Sequence, residues 1–346
     1  MSKKQQNDIT VSVVVPVFNQ ELFLSRSIPA ILNQKYSNFQ LVAVNDGSTD
    51  NSKIILEKYA KQDNRVKIIS QENGGLVSAV IAGVQAASGQ YIAFLDPDDC
   101  IGTDFLTFFM DELDDDYDFI ASGINLEEEN RIIPQPLDQD HIYNDGDEIR
   151  WLRTHYLLGN DSSVPSKCIH HSRWNKLYKA KCAKAAAFDF NSYKAVTLGE
   201  DSIFTYLMLL HANKGKAVRK VNSYFYNICN QSSMTNNASV ENYISRAKLA
   251  YRYYSKMMLE HNELNAQPMM LYYMLTEALM AKSVNQGYSS FKVVYDAIHD
   301  DPLFRQTLDV LLLRERSIKR KIMLYSERMF NSPVPYKTLK ALANLF

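Results

Sequence analysis

Four short apolar runs divide the first hundred residues, with helix-patterned segments between them. The runs are VSVVVPVF (11–18), FQLVAVN (39–45), RVKIIS (65–70) and QYIAFLD (90–96). The first is β-branched and almost wholly apolar, the pattern of a strand buried on both faces. ELFLSRSIPAILNQ (21–34) sets Leu22, Ile28, Ile31 and Leu32 at helical spacing, although Pro29 interrupts it. NSKIILEKYAKQ (51–62), with Asp50 or Asn51 as cap, and the small-residue segment GLVSAVIAGVQAA (75–87), ended by Ser88-Gly89, predict two more helices. Strand and helix in alternation predict an α/β domain: a mostly parallel sheet flanked by helices.

The pattern changes twice further on. Residues 104–150 are acidic and broken. DELDDDYD (111–118) and EEE (127–129) read as solvated helix ends and hairpin edges. From about residue 240 the segments YISRAKLAYRYYSKMMLEH (243–261) and MMLYYMLTEALMAKSV (269–284) are long, helical and rich in Tyr and Met. Helices carrying so many large apolar groups must bury them, so they predict a C-terminal helical extension. The expected division is 1–239 for the α/β domain and 240–346 for the helical region. The last thirty-three residues hold eight Lys/Arg (Arg314, Arg316, Lys319, Arg320, Lys321, Arg328, Lys337, Lys340) interleaved with Ile318, Ile322, Met323 and Tyr325. That pattern suits either a capping helix with a solvated face or a peripheral helix drawn to anionic headgroups.

Composition removes several functional classes. A net charge of -1 gives no global attraction to nucleic acid or membrane. Cys100, Cys168, Cys182 and Cys229 are far apart with no CxxC pair, so a zinc site or a disulfide framework is not expected. MSKKQQND has no apolar signal core, and the longest apolar stretch, IFTYLMLL (203–210), is far short of the ~20 residues of a membrane span. The expectation is a cytoplasmic protein, with a peripheral position at the inner face of the membrane as the alternative.

Open α/β sheets bind ligands beyond the carboxyl ends of their strands. Here those ends read Pro16-Val17-Phe18-Asn19, Asn45-Asp46-Gly47-Ser48, Glu72-Asn73-Gly74-Gly75 and Asp96-Pro97-Asp98-Asp99. Polar groups at all four should converge on one crevice. Asp96 and Asp98, one residue apart after a buried strand, repel each other unless a cation joins them. Mg²⁺ or Mn²⁺ suits such a pair, since hard cations take carboxylate and phosphate oxygens.

PVFN (16–19), NDGSTDNS (45–52), ENGG (72–75), ASGQYIAFLDPDD (87–99), NKLYK (175–179) and LGEDSIF (198–204) occur in the order and spacing of family 2 glycosyltransferases. The chain resembles that family over about residues 9–235, in the type that builds bacterial surface polysaccharide or glycoprotein. The resemblance implies a GT-A, Rossmann-like fold. It implies transfer of a sugar from a nucleotide donor, commonly a UDP-sugar, with inversion at the anomeric carbon and a divalent metal on the diphosphate. Pro16, Val17, Phe18 and Asn19 would line the nucleotide pocket, Asp46 would contact the base, and Asn73 would lie beside the nucleotide. Asp96 and Asp98 would be the DXD pair at the metal, Asp96 toward the ribose and Asp98 as metal ligand. Asp201 would be the general base, with Glu200 as its competitor. Trp174, Lys176, Glu200 and Ser233 (in SSMT, 232–235) would serve the acceptor or the diphosphate, with a Trp packed beside a helix as the other reading of Trp174. The acceptor would be a glycan, a lipid-linked glycan or a glycoprotein.

Two departures from the family pattern concern arginines. Val80-Ile81 stands where many members have Arg-Asn, and Asn227, Cys229 and Asn230 stand where an Arg often precedes the Ser-x-Thr loop. They keep a second reading open, a non-catalytic sugar-nucleotide-binding partner of another glycosyltransferase. The helical region offers a surface for acceptor, membrane or a second copy.

Overall fold

The structure, a computed structural model, describes residues 8–128, 131–158, 169–227, 239–285 and 288–314. The chain divides into two units, Met1–Tyr156 with Lys167–Gln231, and Leu157–Ser166 with Ser232–Phe346.

The first unit begins with the expected alternation: β1 (Val11–Val17), α1 (Glu21–Leu32), β2 (Phe39–Asp46), α2 (Ser52–Gln62), β3 (Val66–Gln71), α3 (Gly75–Ala86) and β4 (Tyr91–Phe94). Every residue of β1 is buried, as its composition requires. Pro29 stands inside α1, where buried Ile28 and Ile31 hold the helix against the sheet despite the lost hydrogen bond. Gly83 lets α3 lie close on the sheet, for a Cβ there would meet Val14 Cγ1 at 2.3 Å. Val80 is fully buried in the same helix, so this position supplies core packing.

The strand order is β3-β2-β1-β4 and continues through later strands. β1 pairs in parallel with both β2 and β4, and β2 with β3. The chain therefore leaves β1 toward β2 and β3, then returns to add β4 on the opposite side of β1. That reversal opens a crevice at the carboxyl ends of β1 and β4.

Beyond β4 the sheet becomes mixed. The added elements are β5 (Cys100–Ile101), α4 (Phe105–Glu112), β6 (Phe119–Glu128), β7 (Arg131–Gln135), β8 (His141–Tyr143), α5 (Gly146–His155), β9 (Lys176–Lys179), α6 (Ala180–Phe190), α7 (Glu200–Leu210) and β10 (Gly215–Asn227). β9 lies antiparallel between β4 and β6, β10 runs parallel to β6, and β5 is antiparallel to β10. Purely parallel pairing is thus confined to the strand–helix–strand crossovers of the first hundred residues; beyond them parallel β6–β10 stands among antiparallel pairs. Later strands arrive through a hairpin (β6 to β7) and long intervening segments, which impose no parallel pairing.

The acidic stretch after α4 meets lysines rather than solvent alone. Lys216 Nζ lies 3.1 Å from Glu112 and 3.2 Å from Asp114, Lys179 lies 2.6 Å from Asp116, and Lys214 pairs with Asp115.

The second unit contains α8 (Val240–Glu260), α9 (Gln267–Asn285), α10 (Tyr288–His299) and α11 (Pro302–Arg314). Tyr254, Met257 and Met258 of α8, Tyr272 and Met280 of α9, Ile298 of α10 and Phe304 of α11 are buried together with Asp301. Asp301 accepts a hydrogen bond from Tyr272 Oη and pairs with Lys248 Nζ at 2.9 Å, so its buried charge is compensated. Leu157, next to α5 in sequence, donates its backbone N–H to Gln267 Oε1 within this unit. Among the described residues, no helix is long and apolar enough to cross a membrane. The basic stretch from Arg316 onward lies outside the described residues, as do Ser233 and the whole of SSMT, Cys168 and Cys229.

Candidate active site

The loops after β1 and β2 are fastened to each other by side chains that bond backbone. Asn19 has φ 53, a left-handed conformation that Asn tolerates better than most residues. Its Oδ1 accepts from Thr49 N at 2.8 Å, while its own N–H donates to Ser48 Oγ at 3.1 Å. Asp50 accepts from Ser52 N at 2.9 Å and from Glu21 N at 3.0 Å, and Glu21 in turn accepts from Asn51 N at 2.9 Å. The two acids thus cap the starts of α1 and α2 reciprocally, where free N–H groups favour negative charge. These hydrogen bonds outweigh burial and hold the Asp50 carboxyl below its ordinary range. Asn51 holds the cap position of α2 by backbone alone; the capping oxygen belongs to Asp50.

Asp46 is 2% exposed at the end of β2. Its Oδ1 accepts from Gln71 Nε2 at 2.7 Å and Gly74 N at 2.9 Å, and its Oδ2 accepts from Gly75 N at 2.9 Å. It therefore shapes the ENGG turn, and Asn73, in that turn, is exposed at the surface. Gly47 is required beside it: φ is +70°, and a Cβ would lie 2.7 Å from Asn73 N. Pro16 and Val17 are buried in β1, past the last pairing with β4, and Phe18 is 39% exposed at the mouth.

On the other side of the crevice the acids are held by charge. Asp96 follows β4, and Glu200 and Asp201 open α7 just after Gly199, which sits at φ +76°. Between them lies Arg173, 1% exposed. Its Nη2 is 2.5 Å from Asp96 Oδ1, its Nη1 donates to Asp201 Oδ1, and Glu200 Oε1 is 3.9 Å from Nη1. Burial disfavours the Arg173 charge, but Asp201, Asp96 and Glu200 outweigh it and push the guanidinium up. Burial raises the Asp96 carboxyl, with Arg173 opposing and Asp201 reinforcing. Burial and then Asp201 raise Glu200 from its ordinary 4.5 to about 7.

Asp99, the third acid of the turn, is 2% exposed. It accepts from Tyr224 Oη at 2.6 Å and Asn227 N at 2.8 Å, which ties the turn to the end of β10. Burial, with Asp96 and Asp98 nearby, raises it well above the usual range.

The remaining expected residues are distributed differently. Lys176 donates its ammonium to His170 O (2.7 Å), Ser172 O (2.5 Å) and Asn175 Oδ1 (2.8 Å). All three donors of a lysine are thereby engaged by acceptors of the interior. Burial lowers it to about 7. Trp174 is also inside, stacked on Tyr224 and Tyr226 with ring centroids 4.6 and 5.1 Å away. The exposed aromatic here is Tyr226, 38% accessible, whose hydroxyl is raised by burial and then by Asp99, Asp96, Asp98 and Asp201. His171 is half-buried by exposure, and desolvation lowers it to about 4, so it is neutral.

Sequence reasoning missed Arg173 and Tyr226. The signal for the first was electrostatic: two acidic motifs expected at one crevice require a cation, and the two candidate arginine positions were empty. Arg173, in the stretch SRWNK beside a quoted motif, was available.

Asp98 is half-buried at the same turn. Among the described residues no group of three or more His, Cys, Asp or Glu gathers to enclose a metal. The donors at this turn are carboxylate oxygens, the kind a hard cation such as Mg²⁺ or Mn²⁺ takes, one or two at a time, with phosphate and water completing its shell. Asp98 fits that role. Asp96 has its Oδ1 on Arg173.

Residues 12–181 match the family described as Glycosyl transferase family 2. Curated relatives include the putative glycosyltransferase EpsH of Bacillus subtilis, 32% identical over 57% of this chain and 54% of its own length. Another is glycosyltransferase GlyA of Streptococcus pneumoniae, 30% identical over 60% of this chain and 29% of its own length. The match thus spans about half or less of these relatives. S. aureus TarS residues 1–349, in complex with UDP-GlcNAc, has a similar fold: TM-score 0.58 and 20% identity, covering 92% of this chain and 87% of that one. Residues 12–181 thus form a glycosyltransferase family 2 domain, in a chain whose fold is similar to that of TarS.

Proposed function

We propose that the chain is an inverting, metal-dependent glycosyltransferase that moves a sugar from a nucleotide donor, a UDP-sugar, to a hydroxyl of a glycan or glycoprotein. The observation that carries this reading is the meeting of Asp96, Glu200 and Asp201 on one buried guanidinium at the strand-reversal crevice, with Asp98 on the same turn. The relatives support the substrate class: TarS was captured with UDP-GlcNAc, and a B. subtilis relative, 43% identical over 33% of this chain, is a minor teichoic acid biosynthesis protein.

In this reading the backbone of Pro16 to Asn19 and the ENGG turn hold the nucleoside. Asp46 spends three hydrogen bonds, two on that turn and one on Gln71 at the end of β3. A carboxylate offers about four acceptor positions, so one remains for a base N–H. Asp98 would hold Mn²⁺ or Mg²⁺, which neutralises charge on the departing diphosphate. The acceptor oxygen attacks the anomeric carbon from the face opposite UDP. The new C–O bond forms as the bond to the diphosphate oxygen breaks, and that electron pair leaves with UDP. Asp201 takes the acceptor proton. Its Oδ1 is on Arg173, so Oδ2 is the oxygen that receives it. Tyr226 offers a ring face for a sugar, the part expected of Trp174.

One observation favours a second assignment of the base. Glu200 is raised to about 7, close to the value at which a general base works best near neutrality. Replacing each acid in turn by its amide separates the two.

The test is a panel of UDP-sugars, UDP-GlcNAc first, assayed for UDP release with and without Mn²⁺. Release that needs Mn²⁺ supports the enzyme. Tight UDP binding with no release from any donor or acceptor tried supports the non-catalytic partner instead.

A further inference from the structure

We propose that Arg173 is a positioning residue for the transfer step: it aims the carboxylate of Asp201 and uses Asp96, on the donor side, as its second anchor. The inference rests on the glycosyltransferase reading above.

The geometry is that of a fork with one tine on each acid. Nη2 takes Asp96 and Nη1 takes Asp201, partners 77 and 28 residues away in sequence. A guanidinium is planar and rigid, so fixing one acid fixes the direction of the other. Arg173 is itself fixed from behind. Its carbonyl accepts from Tyr178 Oη at 3.0 Å, from β9. Two residues on, Asn175 Nδ2 donates to Ser122 O of β6 at 2.7 Å. Both anchoring elements are central strands of the sheet, so the guanidinium is carried by the most rigid part of the unit. Its Nε is buried without a hydrogen-bond partner. That loss is tolerated while both Nη groups are charge-paired.

A purely structural ion pair would not need this arrangement. Two acids from distant segments are placed on one cation at the carboxyl-end crevice, and one oxygen of each is left over. Replacing the trio by apolar groups would suit stability equally well or better. The arrangement instead fixes which oxygen of Asp201 faces the acceptor.

Lysine keeps the charge but is a single point that cannot serve two acids in fixed directions. For Arg173→Lys we expect UDP release from UDP-GlcNAc with Mn²⁺ to fall on the order of 100-fold in kcat, the scale of a misaligned base, while UDP affinity stays within about threefold. A kcat unchanged in a variant of lowered melting temperature would show a structural role and overturn the proposal. A loss of UDP affinity matching the loss of turnover would make Arg173 a diphosphate ligand, and would also overturn it. A second measurement uses the native sequence. In full-length protein labelled with ¹⁵N-arginine, a guanidinium held by two acids should show one set of exchange-protected Nη protons. We expect Asp201→Asn to remove that protection, and UDP with Mn²⁺ to leave it in place in the unaltered chain. If UDP with Mn²⁺ abolishes it, the guanidinium leaves Asp201 for the donor and the proposal fails. Failure of the glycosyltransferase reading would show differently, as absence of UDP binding by the unaltered protein.

Discussion

The two walls of the crevice are built by different physics. On the β1–β2 side, Asn19, Asp46 and Asp50 hold loops by accepting backbone N–H groups from close by. On the β4–α7 side, Asp96, Glu200 and Asp201 converge on one buried cation. The first arrangement fixes shape, as a pocket for a flat base needs. The second stores charge where water is scarce, and there small displacements change acid strength and aim. Residues on the first wall should therefore govern binding, and residues on the second should govern turnover and pH dependence.

Four outcomes sharpen or break that contrast. The largest concerns Glu200. The folded chain holds its proton up to about pH 7, whereas the unfolded chain releases it near 4.5, so stability falls as pH rises through that window. Glutamine cannot ionise. Glu200→Gln should match the parent near pH 4 and exceed it by roughly 3 kcal/mol near pH 8, at about 1.4 kcal/mol per pH unit. Urea denaturation of the metal-free protein across that range measures it, and a difference that does not depend on pH would remove Glu200 from the charged wall.

Next comes Asp98→Asn, for which UDP affinity measured with Mn²⁺ should drop about 100-fold, to the level seen without metal. Calorimetry with and without Mn²⁺ gives both values, and retained metal enhancement would move the ligand elsewhere. Asp46→Ala should cost about 2 kcal/mol of stability, since Gln71 and two part-buried backbone N–H groups lose their acceptor, and should weaken UDP binding with or without metal. If UDP binding survives while stability falls, the residue only shapes the turn. The smallest effect is expected for Tyr226→Leu: a rise of about threefold to tenfold in KM for the sugar donor or acceptor, with kcat and fold unchanged.

The same contrast explains how much was legible in the sequence. The β1–α3 alternation, the turn at Gly47 and the structural part of Asp50 were readable because each depends on neighbours a few residues away. The Tyr- and Met-rich helices were readable as buried elements because amphipathic spacing is local. The mixed pairing beyond β4 was not, since β9 enters the sheet from far along the chain and a four-residue strand carries little period. Arg173 was not readable as a site residue for the same reason: its two partners lie 77 and 28 residues away, and nothing in SRWNK itself distinguishes a clamp from a surface charge. Lys176 and Trp174 looked like crevice residues because they adjoin a motif. Three interior acceptors turned Lys176 inward, and the packing of Tyr224 and Tyr226 did the same for Trp174.

If the charged wall performs the chemistry while the hydrogen-bonded wall holds the nucleotide, isosteric Asp201→Asn, with Asp98 intact, should separate the two when UDP affinity and UDP release from UDP-GlcNAc are measured on the same preparation with Mn²⁺. Affinity should stay within about twofold of the parent and release should fall on the order of 1000-fold, the range for loss of a general base. Release at the parental rate, or affinity and release falling together, would contradict that division.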